Sequence, residues 1–357
     1  MKKVFIVYLV FIFLLVGCSS SRQQDVNIES NREQKNDQLE VIADNLNVPW
    51  SITKLDDTFY LTERPGTIVK VEDGIVERQS VELAKKVSTT SEDGVLGFVL
   101  APDFKDSGLA YGYYTYEDNG GMLNRVVTLQ LEGNIWKEER VLLDKIPGNS
   151  WHNGGRLKIG PDEKLYVTTG DAYENSISQD PASLAGKILR MNLDGTIPTD
   201  NPYPDSYVYS YGHRNPQGLT WLPDRTLYAS EHGNSSHDEI NKIEAGLNYG
   251  WPVIEGDEKQ EGMVPPLFHS GHDATWAPSG MEYHDGKLYV AALRGTAVLE
   301  FNLETGEYQK VISELGRIRD VYIEDNYLYF ISNNRDGRGE PVENDDKLYS
   351  ILLSEFD

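Results

Sequence analysis

From about Leu39 onward, short β-branched and aromatic runs alternate with turns of Gly, Asp, Asn and Pro, and few windows carry a helical period. The pattern predicts many short strands and almost no helix. Several runs repeat one theme, an aromatic set in a strand that follows a polar turn. They are Phe59-Tyr-Leu-Thr-Glu-Arg-Pro-Gly66, Lys164-Leu-Tyr-Val-Thr-Thr-Gly170, Thr226-Leu-Tyr-Ala-Ser-Glu-His-Gly233, Lys287-Leu-Tyr-Val-Ala-Ala-Leu-Arg-Gly295 and Tyr327-Leu-Tyr-Phe-Ile-Ser332. Within them Leu165, Leu227 and Leu288 recur at near-equal spacing. A strand cluster at this kind of period is the signature of a β-propeller, whose blades are four-stranded sheets around a central channel. Residues 41–357 would hold six blades of about 53 residues each, a normal blade size. A pair of β-sandwiches is the alternative, but it does not explain why each repeat ends in a distinctive polar loop. In an all-β, six-bladed β-propeller those loop ends gather on one face around the channel, where an active site belongs.

The N-terminus follows a different pattern. Met1-Lys2-Lys3 supplies a positive end and Val4 to Val16 is an unbroken apolar run, shorter than the roughly 20 residues a spanning helix needs. Leu15-Val16-Gly17-Cys18 resembles the lipobox of bacterial lipoproteins. The resemblance implies a signal peptide over 1–17 and a lipid on Cys18. The chain would then sit at the extracytoplasmic face of the bacterial cell membrane, held there by a lipid anchor only. Residues 18–40 have almost nothing apolar to bury and read as a disordered tether to a folded domain over 41–357. Cys18 is the only cysteine, so the folded domain is expected to hold neither disulfide nor thiol chemistry.

Composition agrees with strands and turns, with 21 Tyr, 32 Gly and 16 Pro. A net charge of −24 argues against a nucleic-acid partner, because binding phosphates needs a basic surface. The acidity also suits an extracellular protein that meets divalent cations.

Candidate chemistry begins in Ser150–Asp171. His152 is followed by Asn153, Gly154, Gly155 and Arg156, and glycine lets backbone approach a ligand closely. Asp171 ends the strand that follows, so a general base and its orienting carboxylate are both at hand. Other loop ends carry Glu92-Asp93-Gly94, Tyr211-Gly-His-Arg-Asn-Pro-Gln-Gly218, Ser230-Glu-His-Gly-Asn234, Arg294-Gly295 and Gly316-Arg-Ile-Arg-Asp320. Converging Arg214, Arg294, Arg317 and Arg319 in so acidic a chain suit a small polyanionic ligand, since each guanidinium can hold a carboxylate in bidentate fashion. Pairing of each with a nearby surface carboxylate stays open as the alternative.

Taken in order, several segments resemble the glucose/sorbosone dehydrogenase family. They run from Val48-Pro-Trp-Ser51 through Gly94-Val-Leu-Gly-Phe-Val-Leu-Ala-Pro-Asp-Phe104, Trp151-His-Asn-Gly-Gly-Arg156, Ser183-Leu-Ala-Gly-Lys-Ile-Leu-Arg190 and Gly212-His-Arg-Asn-Pro-Gln-Gly218 to His237-Asp-Glu-Ile-Asn241 and Asn248-Tyr-Gly-Trp-Pro252. The resemblance implies a six-bladed propeller that oxidises an aldose to a lactone with pyrroloquinoline quinone (PQQ) and Ca²⁺ and passes electrons to an unidentified acceptor. It makes His152 the base and Asp171 its holder. Arg214 and Asn215 fall beside the reactive carbonyl, and Arg294, Arg317 and Arg319 at the PQQ carboxylates. Glu92 falls near the sugar, where members carry Gln or a similar polar residue. One Ca²⁺ would take the Gly233 and Asn234 carbonyls, and a structural one the Glu239 carboxylate and the Tyr249 carbonyl. Asn234 departs from the proline of the best-known members, a change a backbone ligand tolerates. The loop Phe268–Ser279 is shorter than in glucose-oxidising members, which predicts a more open site with broad sugar preference and leaves Trp276 as a partial cover. A calcium-dependent propeller hydrolase such as a lactonase, or a cofactor-free binding propeller, stay open as alternatives.

Overall fold

The structure, a computed structural model, describes residues 39–356. The signal peptide expected over 1–17, the lipidation expected at Cys18 and nearly all of the tether lie outside the described residues. Apart from one four-residue helix, α1 (Phe104–Ser107), and two short 3-10 turns, the described chain is built of strands. No described helix is long and apolar enough to cross a membrane.

The first strand is β1 (Glu40–Ala43). An antiparallel meander follows, of β2 (Pro49–Leu55), β3 (Thr58–Glu63), β4 (Thr67–Glu72) and β5 (Ile75–Glu82). A second is β6 (Val95–Leu100), β7 (Leu109–Asp118), β8 (Gly121–Glu132) and β9 (Ile135–Pro147). The next sheets are β10 (Leu157–Ile159), β11 (Lys164–Thr169), β12 (Lys187–Asn192) and β13 (Val208–Tyr211), then β14 (Pro216–Trp221), β15 (Leu227–Glu231), β16 (Glu239–Ile243) and β17 (Phe268–His269). After them come β18 (Pro278–His284), β19 (Lys287–Ala292), β20 (Ala297–Asn302) and β21 (Tyr308–Ile312). The last strands are β22 (Ile318–Glu324), β23 (Tyr327–Ser332) and β24 (Leu348–Leu352).

Two long-range pairings shape this set. β1 pairs antiparallel with β24, so the N-terminal strand completes the C-terminal sheet. That pairing includes Glu40, and Leu39 packs on the neighbouring hydrophobic cluster. β5 and β9 pair in parallel through Ser80–Glu82 and Ile135–Lys137, which fuses the first two meanders into one eight-stranded sheet.

In the first meander the first strand is more buried than the last. The strand Pro49–Leu55 is buried over its first half, whereas β5 is largely exposed. First strands pack on one another in cyclic order, β2 on β6, β6 on β10, β14 on β18, β18 on β22 and β22 on β2, with β11 meeting β14. Each junction holds its own hydrophobic cluster. Tyr60 and Ile68 meet Phe98 and Trp136 at one, and Tyr228 and Ile240 meet Met281 and Leu288 at another. Leu46 and Ile331 meet Leu61 and Val69 where the two ends of the chain come together. β-branched and aromatic side chains fill these junctions because they fit a pleated, half-buried surface. The arrangement is propeller-like, and it brings the loops that precede first strands and those that follow second strands to a common region.

The loop after Asp171 is held by a buried cation. Lys187 is fully buried and its Nζ donates to the carbonyls of Ile177, Ser178 and Ala185 at 3.2, 3.1 and 2.5 Å. Burial pushes this ammonium down to about 7, opposed only by the charge of Asp180. A folded-state value below the unfolded one of 10.5 means that the unfolded chain binds the proton more tightly. Stability from this group therefore rises with pH between about 7 and 10.5 and is at its minimum below that window. Denaturant unfolding should show the wild type gaining on Lys187→Met between pH 7 and 10, with a constant difference below pH 7; parallel curves throughout would refute the assignment.

Candidate active site

His152 lies in the left-handed backbone region, at φ 58°, just before Gly154 and Gly155 at φ 60° and 102°. A non-glycine residue held there is uncommon and costs strain. The turn keeps this shape because two strand ends crowd it. An added Cβ on Gly170 would fall 1.9 Å from the His152 carbonyl oxygen, so only glycine allows β11 to end against the histidine. Gly154 N–H donates to Asn215 Oδ1 at 3.0 Å, and Asp171 N–H donates to the Arg214 carbonyl at 2.8 Å. These two bonds tie the turn to the next sheet.

The side chains then meet. His152 Nδ1 lies 2.7 Å from Asp171 Oδ1, with Asp171 fully buried. Asp171 Oδ1 also accepts the Tyr173 N–H at 2.8 Å, and Oδ2 accepts the Trp251 indole N–H at 2.8 Å. An ionised Asp171 can only accept, so Nδ1 carries the proton and Nε2 is the basic atom of the ring. Trp251 holds the carboxylate from below and carries the Arg214 guanidinium 5.2 Å from its ring.

His152 lines a cleft of about 330 Å³. Glu92, Arg214, Arg294, Arg317, Gly233 and Asn234 line the same cleft, so residues from widely separated loops share one wall. Asp171, Asn215 and Arg319 are buried and do not line it. Several polar side-chain atoms are buried without a hydrogen-bond partner, among them Arg214 Nε, Asn215 Nδ2, His232 Nε2 and Arg319 Nε. A buried unpaired polar group costs about 1–3 kcal/mol, so their concentration here marks a place built for something else to pair with.

Electrostatics point the same way. Burial pulls Arg319 down to about 9, and its neighbours Arg317 and Arg64 add to this against the opposing charges of Asp336 and Glu92. Burial also lowers Arg214, opposed by Asp171 and Glu231. Both remain cations at neutral pH, under a strain that an anion would relieve. Arg317 is partly compensated, since its Nε and Nη2 donate to Asp336 Oδ2 at 2.9 and 2.7 Å. Burial alone would raise the Glu92 carboxyl. The positive charges of His232 when protonated, Arg338 and Arg319 instead hold it at about 2. Burial lowers His232 to about 4, so near neutral pH the Arg338 pair, at 2.8 Å, carries most of that effect. Glu92 Oε2 also accepts the His152 N–H at 3.3 Å.

One expected role meets a different geometry. Trp276 is 4 % exposed, lies edge-on to Phe301 and Tyr308 in the hydrophobic core and does not line the cleft. Its loop is fastened down by Asp238 Oδ2, which accepts the Thr275 hydroxyl and the Trp276 and Ala277 N–H groups. Thr275 and Ala277 therefore border the cleft where an aromatic cover is expected. Glu239 lies off the cleft, accepting Gly256 N–H and the Asn241 side-chain amide at 3.1 Å each. Burial and the charge of Glu231, its partner across β15 and β16, push it up to about 8. The Tyr249 ring stacks on His213 at 4.9 Å. Among the described residues no three His, Cys, Asp or Glu side chains converge as a metal group.

Trp251, His232 and Arg338 belong to the site without having been singled out by sequence. All three stand in loops remote from His152 along the chain, and no local spacing connects them to it. Trp251 does lie inside a segment that carries the family resemblance, and His232 inside the loop end Ser230–Asn234, which are the available signals.

The comparisons with known proteins follow the same residues. The glucose/sorbosone dehydrogenase family model matches residues 46–348. The chain is 35 % identical to quinoprotein glucose dehydrogenase B of Acinetobacter calcoaceticus, over 81 % of this chain and 67 % of that protein. It is 29 % identical to aldose sugar dehydrogenase YliI of Escherichia coli, over 84 % and 91 %. The PQQ-bound form of aldose sugar dehydrogenase from Streptomyces coelicolor matches it with TM-score 0.82 at 35 % identity, covering 88 % of this chain and 97 % of that one. With the match spanning nearly the whole described fold, the chain belongs to the glucose/sorbosone dehydrogenase family.

Proposed function

We propose that this protein is a PQQ- and Ca²⁺-dependent aldose dehydrogenase on a six-bladed propeller, with His152 as its general base. The observation that carries the reading is the His152–Asp171 pair on a cleft that Arg214 also lines, together with partnerless buried N–H groups on Arg214, Asn215 and Arg319. PQQ has three carboxylates and a quinone, and such a ligand matches a concave site rich in unspent guanidinium and amide N–H groups. The cyclic packing of first strands and the completion of the last sheet by β1 support six blades.

Arg294, Arg317 and Arg319 would hold the carboxylates, and Arg214 and Asn215 the quinone edge. Gly233 and Asn234, which line the cleft, would offer main-chain oxygens to Ca²⁺, a hard cation that prefers such ligands. Glu239, a desolvated carboxyl facing Glu231, and the Tyr249 carbonyl would serve a structural Ca²⁺. When bound, the quinone supplies an electrophilic carbon that accepts a hydride, and the cation polarises it.

The chain's own residues do the rest. His152 Nε2 takes the proton from the anomeric hydroxyl as C1 gives up hydride and becomes the carbonyl carbon of a lactone. Asp171 holds Nδ1–H, fixes the tautomer and stabilises the imidazolium that forms. The Arg214 charge favours the build-up of negative charge beside it, which a buried guanidinium does far better than water. Glu92, ionised and held by Arg338, faces the sugar. With Trp276 in the core, no tryptophan from the 268–279 loop closes over the cleft, which supports an open site and comparable turnover on several aldoses. Electrons would leave to a separate acceptor.

The test is titration of the Ca²⁺-loaded apo protein with PQQ, followed by dye reduction with an aldose. Stoichiometric binding and aldose-dependent reduction are expected; the absence of both PQQ binding and dye reduction would end the proposal. The lipobox-like Leu15–Cys18 segment supports attachment of this domain to the extracytoplasmic face of the cell membrane through a lipid on Cys18.

A further inference from the structure

Glu92 brings a carboxylate to the wall of the His152 cleft. Its Oε1 accepts from Arg338 Nη1 at 2.8 Å, and its Oε2 accepts from the His152 backbone N–H at 3.3 Å. An ionised carboxylate has about four acceptor positions, so about two stay open. The bond to His152 also sets this carboxylate beside the residue whose ring takes the proton from O1. In an aldose held that way, the substituent on the neighbouring carbon, C2, is the one within its reach.

The chemistry of the group identifies its match. Burial opposes ionisation, but the surrounding cations hold the Glu92 carboxyl at about 2, so near neutral pH it accepts and never donates. A side-chain amide would suit a hydroxyl, since both donate and accept. A carboxylate is matched best by a group that only donates and carries the opposite charge, which is an ammonium. Arg338 leaves room for one. Its side chain is 41 % exposed against 16 % for Glu92, and its guanidinium rests 4.4 Å from the exposed Trp151 ring, so it holds the carboxylate from the more open side. An ion pair so exposed is weak and screened by salt. Under the reading above, the carboxylates of PQQ match Arg294, Arg317 and Arg319, which removes their repulsion of a second cation. The net charge of −24 further draws small cations to this surface.

We propose that the preferred substrate is a 2-amino-2-deoxy aldose, whose C2 ammonium donates to Glu92 while O1 faces His152 Nε2. The proposal rests on the aldose dehydrogenase reading. It selects by charge at one carbon and leaves neutral aldoses comparable with one another, as an open cleft implies. Hydrogen bonds between charged partners are roughly twice as strong as neutral ones, and the expected gain of glucosamine over glucose is about tenfold in kcat/KM.

The test compares glucosamine with glucose on the PQQ- and Ca²⁺-loaded protein at about pH 6.5, where an amine of ordinary pKa about 8 is protonated. The tenfold ratio should shrink as salt is raised. Glu92→Gln keeps the shape, removes the charge and should bring the ratio to one or below. A wild-type ratio at or below one, or a ratio that Glu92→Gln leaves unmoved, would overturn the proposal. 6-Amino-6-deoxyglucose carries the same charge at the far end of the molecule and should show no such gain. An equal gain there would assign the effect to the general field of the protein and overturn the placement at C2. Binding is read in parallel by calorimetry with the methyl glycosides of glucosamine and glucose, which have no anomeric hydroxyl to oxidise. If no aldose is oxidised, the dehydrogenase reading fails, and the glycosides alone decide. A preference for the amino glycoside that Glu92→Gln abolishes supports an ammonium site at Glu92, and absence of that preference removes it.

Discussion

Replacing His152 with alanine is expected to lower aldose turnover at least about 100-fold while PQQ affinity stays nearly unchanged. The size follows from the loss of the only imidazole that combines a place on the cleft with a buried carboxylate at 2.7 Å. The fold should survive the change. Asp171 keeps the Trp251 indole and Tyr173 N–H as donors, so it is not left buried and unpaired. Residue 152 must remain at φ 58°, which disfavours alanine somewhat and asparagine less. His152→Asn is therefore the control, with the same loss of turnover and a smaller loss of thermal stability. Free imidazole should restore part of the alanine variant's rate by entering the space the ring vacates. Unchanged turnover in both variants would remove His152 from the chemistry.

Arg214→Met should cost about 10²–10³-fold in kcat, the scale of losing one preorganised charge at a reacting oxygen. Methionine keeps much of the length and packing on Trp251 but none of the charge or the N–H groups. Arg214→Lys should rescue little, because a point charge does not reproduce a planar fork. PQQ should also raise the melting temperature of Arg214→Met less than that of the wild type. A full PQQ-induced shift with normal turnover would place the carrying charge elsewhere, among Arg294, Arg317 and Arg319.

The repeating strands were legible because each is a local pattern. The runs at 59–66, 164–170, 226–233, 287–295 and 327–332 contain β3, β11, β15, β19 and β23, the second strands of their sheets or, for β23, the strand next to β22. β7 was not legible as their counterpart. It follows α1 and Gly108 in place of a polar turn, runs as a long strand against β8 and carries Gly112 in its middle. Neither the β1–β24 pairing nor the parallel join of β5 and β9 leaves a local trace, since both depend on where remote segments end up.

The site divides along the same line. His152 and Asp171 could be read together because they flank one short hairpin, β10 and β11, and a hairpin brings its two ends to the same edge. That Trp251 holds Asp171, that Arg338 holds Glu92 and that Trp276 packs on Phe301 were decided elsewhere. The 268–279 loop shows why. Its sequence reports an aromatic near the cleft, but three donors fixed on Asp238 turn the Trp276 ring into the core and leave Thr275 and Ala277 at the edge.

By itself, the sequence determined the strand-and-turn alternation, the residue types at the loop ends and the His–Asp hairpin, because these depend on propensity and on spacing within a few residues. Tertiary structure decided which loop ends share a cleft, which arginines already have a carboxylate and which keep an unspent N–H. Those outcomes depend on sheets packed on one another through hydrophobic faces in cyclic order, and that order closes only through contacts between residues distant along the chain.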